Sequence, residues 1–292
     1  MTHGKPAIGV IGGSGLYDLP GARLLREEEV DTPWGRPSDR IAIVEIEGVA
    51  AAFLPRHGKG HRILPSEVNS RANVCALKQL GVESVLAFSA VGSLKEDLHP
   101  LDFVVPSQII DRTRHRPDTF FGGGVVAHVA FADPFCKRLS ELMVEGIRAS
   151  GLPGGRSGET LVCMEGPLFS TRAESELYRR FGAGLINMSA LPECKLAREA
   201  ELCYALVCMV TDYDCWKADA SDVDIQMVIQ NLQRNADNAR RLLQRLVPAA
   251  SRSARTCACK DACQHAIITA REARPAETVS QLACLLPRYF NE

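Results

Sequence analysis

Aromatic side chains are scarce in this chain, at 6% of 292 residues, which leaves little material for a base-stacking platform. An excess of one charge is missing too, since 34 lysines and arginines stand against 35 aspartates and glutamates. A protein that grips nucleic acid through its phosphates needs a basic surface, so no nucleic-acid partner is expected. No run approaches the ~20 apolar residues that cross a bilayer; the longest, Cys203 to Val210, has the length of a buried strand. Met1-Thr2-His3-Gly4-Lys5-Pro6 lacks the basic flank and small-residue cleavage site of a secretory signal. The expectation is a cytoplasmic protein with no membrane partner and a small-molecule ligand.

Some catalytic signatures are also lacking. No third glycine completes a dinucleotide-binding G-x-G-x-x-G, no P-loop motif occurs, and no G-x-S-x-G elbow presents a serine nucleophile. Cysteine, by contrast, is plentiful, but an odd total of 11 spread over a long chain does not suit a secreted disulfide framework. Cys163, Cys203, Cys208 and Cys284 lie singly in apolar runs and read as small core residues. Cys257, Cys259 and Cys263 stand apart. Their spacing permits a metal clip or a redox pair, yet two close ligands and a stray third fall short of a zinc site. They are expected to be free or incidentally oxidised thiols, and no metal is expected anywhere.

What is present is alternation. Extended runs at Ala7–Ile11, Arg40–Ile46, Ala50–Leu54, Ser84–Ser89, Phe103–Ile110, Thr160–Met164, Leu185–Met188 and Cys203–Val210 are interleaved with helical periodicity. Helices are expected over Val68–Leu80, from Asp133-Pro134 to Gly151, over Ser170–Phe181, from Pro192, over Asp222–Leu246 and over Pro275–Leu286. Several strands are apolar at consecutive positions, as strands covered on both faces must be. The pattern implies a three-layer α/β/α fold in one domain, residues 1–292, with a C-terminal extension from about 249 to 292. Gly122-Gly123-Gly124 and Leu152–Gly158 read as surface loops.

Candidate chemistry gathers at strand exits, where ligands bind in open α/β sheets. Gly12-Gly13-Ser14-Gly15 can turn sharply and aim N–H groups at an anion. Arg56-His57-Gly58-Lys59-Gly60-His61 offers cations for a phosphate or carboxylate. Ser89-Ala90-Val91-Gly92-Ser93, Glu165-Gly166-Pro167-Leu168-Phe169-Ser170 and Ile186-Asn187-Met188-Ser189 follow three further strands, with Phe169 a potential stacking face and Ser189 a potential helix cap or anion donor. Thr211-Asp212-Tyr213-Asp214-Cys215-Trp216 closes the most apolar strand, and carboxylates at i and i+2 there face the same way. Such a pair can bind a metal, share a proton, or read donor groups of a heterocycle.

In this order the six motifs resemble the trimeric purine nucleoside phosphorylases, and within them the methylthioadenosine-cleaving branch, over roughly Ala7 to Ile229 and again at Cys284-Leu285-Leu286-Pro287-Arg288. The resemblance implies a central mixed sheet and phosphorolysis of 5′-methylthioadenosine, with inorganic phosphate as co-substrate and no cofactor. By similarity Ser14, Arg56, His57, Ser89, Ala90 and Ser189 surround phosphate, Met188 and His61 line the ribose site, and Phe169, Asp212 and Asp214 hold the purine. Asp212 is the implied catalytic residue, assisting departure of the purine at N7, while Asp214 accepts its 6-amino group. A carboxylic acid keeps a proton near neutrality only if burial raises its pKa. Ile225, Val228 and Ile229 form an apolar hole for the methylthio group, and His128 and Leu285 arrive from a neighbouring subunit and a C-terminal helix to close it. A homotrimer, or a dimer of trimers, follows from the same resemblance. The nearest rival is a 6-oxopurine or 5′-methylthioinosine phosphorylase on this scaffold, against which Asp212, Asp214 and Ser170 argue; a non-catalytic nucleoside-binding protein is the rival of another class.

Overall fold

A computed structural model describes residues 5–13, 22–217 and 225–291, with Ile225 described by its backbone alone. Among these residues eleven strands join one mixed sheet. They are β1 (Ile8–Gly12), β2 (Arg23–Glu28), β3 (Ile41–Ile46), β4 (Val49–Pro55), β5 (Ser84–Ser93), β6 (Phe103–Val105), β7 (Gln108–Arg112), β8 (Gly154–Ser157), β9 (Thr160–Met164), β10 (Leu185–Asn187) and β11 (Cys203–Tyr213). The helices are α1 (Ser70–Gln79), α2 (Lys137–Ala149), α3 (Arg172–Arg180), α4 (Glu193–Glu199), α5 (Ile225–Arg252), α6 (Ala276–Ala283) and α7 (Pro287–Phe290). Among the described residues no helix is long and apolar enough to cross a membrane.

The continuous apolar runs predicted as doubly covered strands have that environment. Apolar residues of α1, α4 and α6 pack on one face of the sheet, while α2 and α5 pack on the other. The first nine residues of β11 are buried, as are the first six of β5. At roughly 25 cal/mol per Å² of apolar surface removed from water, this double coverage is the main stabilising term.

Four differences from the sequence reading have local causes. The run Phe103–Ile110 is two strands rather than one, because Pro106 interrupts it: β6 pairs with β11 and β8, and β7 pairs with β9. The edge strand β2 has the charged sequence Arg-Leu-Leu-Arg-Glu-Glu and shows little apolar alternation, as suits an edge. Gly154–Ser157, expected as loop, adds β8 to β6. Helix α2 opens one turn later than Asp133-Pro134, with Cys136 as its N-cap residue.

The sheet changes partner in the middle, and that change makes room for a site. Strand β5 pairs with β1 in parallel only through Ser84–Ala87. Farther along the same edge it pairs with β10, antiparallel, at Gly92 and Ser93. Between those contacts the edge of β5 carries Ser89 and Ala90. The ends of β1 and β4 reach this gap from one side and the end of β10 from the other. On the opposite edge β11 runs parallel to β5 along its whole length, with a bulge between Val210 and Asp212.

Candidate active site

A cavity of about 460 Å³ opens at this gap, within the range of small-molecule sites. Each strand exit named from the sequence contributes to its wall. Parallel pairing of β1 with β4 sets Gly12 opposite Pro55, and the Arg56 N–H donates to the Gly12 carbonyl at 3.0 Å. Gly13 and Arg56 are therefore placed by the register of two buried strands. Ser14 lies outside the described residues.

Arg56 is 1% exposed. Its Nε and one terminal nitrogen donate to the two carboxylate oxygens of Glu193 at 2.8 and 2.9 Å, and the other terminal nitrogen donates to the Phe88 carbonyl at 3.0 Å. The Tyr204 hydroxyl also donates to Glu193, at 2.7 Å. A guanidinium this buried needs such a partner, because an isolated charge in low dielectric is prohibitive. Beside it, His57 donates from Nδ1 to the Ile63 carbonyl at 2.9 Å and stacks on His61 at 4.5 Å between ring centroids. Burial first, and then the Arg56 charge, push the His57 pKa down to about 4. The ring is neutral near pH 7, with Nε2 as an acceptor. Burial lowers His61 as well.

Across the gap, the Ser89 and Ser189 hydroxyls lie 3.0 Å apart, and Asn187 Nδ2 donates to Ser89 Oγ at 3.1 Å. The antiparallel run of β10 sends its exit back toward Ser89, so residues almost a hundred apart in sequence meet. Ser189 caps no helix, since Pro192 occupies the N-cap position of α4. Arg116 anchors the same exit by donating to the carbonyls of Met188 and Leu191 at 2.7 and 2.8 Å. Met188 forms part of the wall, and its sulfur would sit 2.5 Å from any Cβ at Gly166, which has φ +72°. That position accepts only glycine without rearrangement.

The far wall holds the two carboxylates. Thr211 Oγ1 donates to Asp212 Oδ2 at 2.6 Å. Burial, reinforced by the charge of Asp214, nevertheless pushes the Asp212 pKa up to about 6. Asp214 is 6% exposed, is raised by burial, and has an Oδ2 with no hydrogen-bond partner. Gly92 lies opposite Asp212 in the strand register, and a Cβ there would come within 3.4 Å of Asp212 Oδ1. The remainder of the Asp-Tyr-Asp-Cys-Trp run holds this exit in place: Trp216 Nε1 donates to the Ser93 carbonyl at 2.8 Å, and Arg179 covers the indole at 3.8 Å.

Several positioning groups were not singled out from sequence. Glu193 is one. Asn231 and Asn235 on α5 donate to the Thr211 and Val210 carbonyls at 2.8 and 2.9 Å, securing the bulge before Asp212. Two asparagines four apart on the apolar face of a long helix are a legible signal, because a buried amide at helical spacing needs a partner.

The apolar end of the cavity differs from expectation. Val228 lines it together with Leu232, whereas Ile229 is 49% exposed and outside the wall, and the Ile225 side chain lies outside the described set. Leu285 is 0% exposed, packed in the core of its own chain and outside the wall of this cavity. His128 is exposed, on a loop bridged to residues near Ala266, and is no part of the wall. None of the lining residues lies beyond Leu232, so the segment from 249 onward does not complete this cavity within the chain. Phe169 is on the rim, 71% exposed.

Cys257, Cys259 and Cys263 are free thiols, but their grouping is not the one their spacing suggests. Cys263 stands apart, donating to the Glu199 carbonyl at 3.2 Å. Cys257 and Cys259 instead meet Cys136 and Cys203, and these four are the group, among the described residues, that could hold a metal ion. They lie at the end of β11 remote from Asp212.

Comparison with known proteins agrees with this geometry. The phosphorylase superfamily profile matches residues 7–248. The S-methyl-5′-thioadenosine phosphorylase of Koribacter versatilis is 49% identical over 285 residues, 98% of this chain and 97% of that one. A crystal structure of a methylthioadenosine phosphorylase from an antarctic soil metagenomic library is similar with a TM-score of 0.92 and 46% identity, over 97% of this chain and 99% of that one. A mutant of the adenosine/methylthioadenosine phosphorylase of Schistosoma mansoni, in complex with methylthioadenosine, is similar with a TM-score of 0.82 and 37% identity, over 92% of this chain and 99% of that one.

Proposed function

Because the chain belongs to the phosphorylase superfamily, we propose that the cavity catalyses phosphorolysis of 5′-methylthioadenosine to adenine and 5-methylthioribose 1-phosphate. It is an enzyme, a pentosyltransferase. The observation that carries the reading is the juxtaposition in one cavity of a half-buried and a buried carboxylate, Asp212 and Asp214, with a cluster of hydroxyl and N–H donors.

Phosphate occupies the gap beside β5, held by Ser89, Ser189, the Ala90 N–H, Arg56, His57 and Ser14. Glu193 neutralises Arg56, and His57 is uncharged, so much of the binding comes from oriented dipoles, which lose little to reorganisation. Neutral His57 Nε2 can accept a hydrogen bond from the hydroxyl of a monohydrogen phosphate. A phosphate oxygen bonds to C1′ as the bond from C1′ to N9 breaks, and the electron pair leaves with the purine. Asp212 delivers its proton to N7, so the base departs neutral. A pKa raised toward 6 keeps a useful fraction of this acid protonated near neutrality, as general acid catalysis requires.

The orphan oxygen of Asp214 accepts from the 6-amino group; a 6-oxo group would present a second acceptor there, and unpaired buried groups of this kind support large discrimination. Met188 and His61 flank the ribose, Phe169 stacks on the base from the rim, and Val228 with Leu232 receives the methylthio group. His128, from a second subunit, closes the pocket in a homotrimer or a dimer of trimers, so that an isolated monomer is inactive. Phosphate is the one co-substrate this reading requires. The setting is cytoplasmic methionine and purine salvage.

The test is adenine release from 5′-methylthioadenosine with and without phosphate, run beside hypoxanthine release from 5′-methylthioinosine. Adenine should form only with phosphate, and far faster than hypoxanthine. Phosphate-independent release, or a preference for the 6-oxopurine, would overturn the assignment.

A further inference from the structure

Three separated stretches of chain bring four thiols together at the start of β11. Cys203 is its first residue, Cys136 is the N-cap residue of α2, and Cys257 and Cys259 belong to the segment that follows α5. All four sulfurs lie within 4.8 Å of one another, with Cys257 Sγ 3.2 Å from Cys203 Sγ and 3.7 Å from Cys136 Sγ. A tetrahedral ion bound through metal–sulfur bonds of about 2.3 Å sets its ligand sulfurs roughly 3.8 Å apart. The spacing already present matches that geometry to within a few tenths of an ångström for the Cys136 pair. Three of the four thiols are buried, and Cys257 is partly so.

The surroundings suit a site of negative charge. Four thiolates around a divalent cation leave two excess negative charges. Arg255 Nε donates to Cys203 Sγ at 3.3 Å. Cys136 stands at the N-terminus of α2, a helix of 13 residues, where the helix dipole favours a thiolate. Donors around ligand sulfurs in this manner are the expected outer shell of a metal site.

We propose that Cys136, Cys203, Cys257 and Cys259 form a closed tetrathiolate site for a soft divalent cation of the zinc type, which clips the segment after α5 to the sheet. Four protein ligands leave no open position, so the site is structural and not catalytic. On binding, four sulfur–metal bonds form and the thiol protons pass to solvent; nothing is oxidised or reduced.

The test uses the full chain, purified anaerobically and loaded with Zn²⁺ or Co²⁺. Elemental analysis should give about one zinc per chain, and cobalt should show the thiolate charge-transfer band and strong tetrahedral d–d bands. Zinc should also block four thiols from a thiol reagent under native conditions. Cys257→Ser, at the partly exposed member, should lower zinc content severalfold, whereas Cys263→Ser, outside the cluster, should retain it. Absence of the tetrathiolate cobalt spectrum from the wild-type chain overturns the proposal whether or not any variant folds. Equal metal content in the two variants, or disulfides among these four residues in the anaerobic protein, overturns it too.

Discussion

The two ends of β11 carry different chemistry on one strand. Its C-terminal end holds Asp212 beside a cavity, with Asp214 just beyond the strand, both carboxylates pushed up by burial and one oxygen left without a partner. Its N-terminal end holds Cys203 among three other sulfurs and the Arg255 guanidinium, with three of the four thiols buried. Nine residues separate Asp212 from Cys203, which at about 3.3 Å per residue places the two ends roughly 30 Å apart. One end retains unsatisfied polar groups and a raised acid that destabilise the empty fold but suit a ligand. The other gathers four thiols and a donor to one of them from within the chain. Reactivity belongs to the first end and rigidity to the second.

The sharpest way to break this contrast is to swap the consequences. Asp212→Asn should cut turnover by about 10²–10⁴-fold, the usual worth of general acid catalysis, with nucleoside affinity changed only severalfold by calorimetry. Cys257→Ser should leave turnover within about twofold at a temperature where the variant is folded, and lower its melting temperature instead. Comparable losses of turnover at both ends would dissolve the distinction.

A smaller effect separates positioning from chemistry at the cavity itself. Glu193→Gln removes the charge that pairs with buried Arg56, and breaking such a pair costs about 3–5 kcal/mol. Denaturant unfolding should show that loss, and phosphate KM should rise more than nucleoside KM changes. Smallest of all, Phe169→Ala should raise nucleoside KM by about 2–10-fold, since an aromatic contact adds ~0.5–1.5 kcal/mol and this ring is mostly exposed. Steady-state kinetics at saturating phosphate measure it.

The same contrast explains what could be read from sequence. The carboxylates are two residues apart at the exit of a strand of continuous apolar character, a spacing that suggests a shared face, and each anion-binding motif follows its own strand directly. Short-range patterns of this kind placed Arg56, His57, Ser89, Ser189 and Asp212 at one cavity. Glu193 and Asn231 escaped because their roles depend on distant partners, namely Arg56 and the Thr211 carbonyl. The cysteines misled for a related reason. Proximity in sequence grouped Cys263 with Cys257 and Cys259, while the fold replaces it with Cys136 and Cys203, more than fifty residues away on other elements. Leu285 is expected at the pocket from its surrounding motif, whereas within the chain its side chain is buried in the core and outside the cavity wall. The strand break at Pro106 was visible in principle, since proline cannot donate to a ladder.

The measurement that bears most directly on the role of Asp212 is the pH profile of phosphate-dependent adenine release at saturating substrates, for wild type and Asp212→Asn. An acid whose pKa is about 6 loses its proton as pH rises through that value, so wild-type turnover should decline above it while the residual rate of the variant shows no limb there. His57, pushed down to about 4, stays neutral across the window and adds no limb of its own. Profiles of the same shape in the two proteins would contradict proton delivery by Asp212.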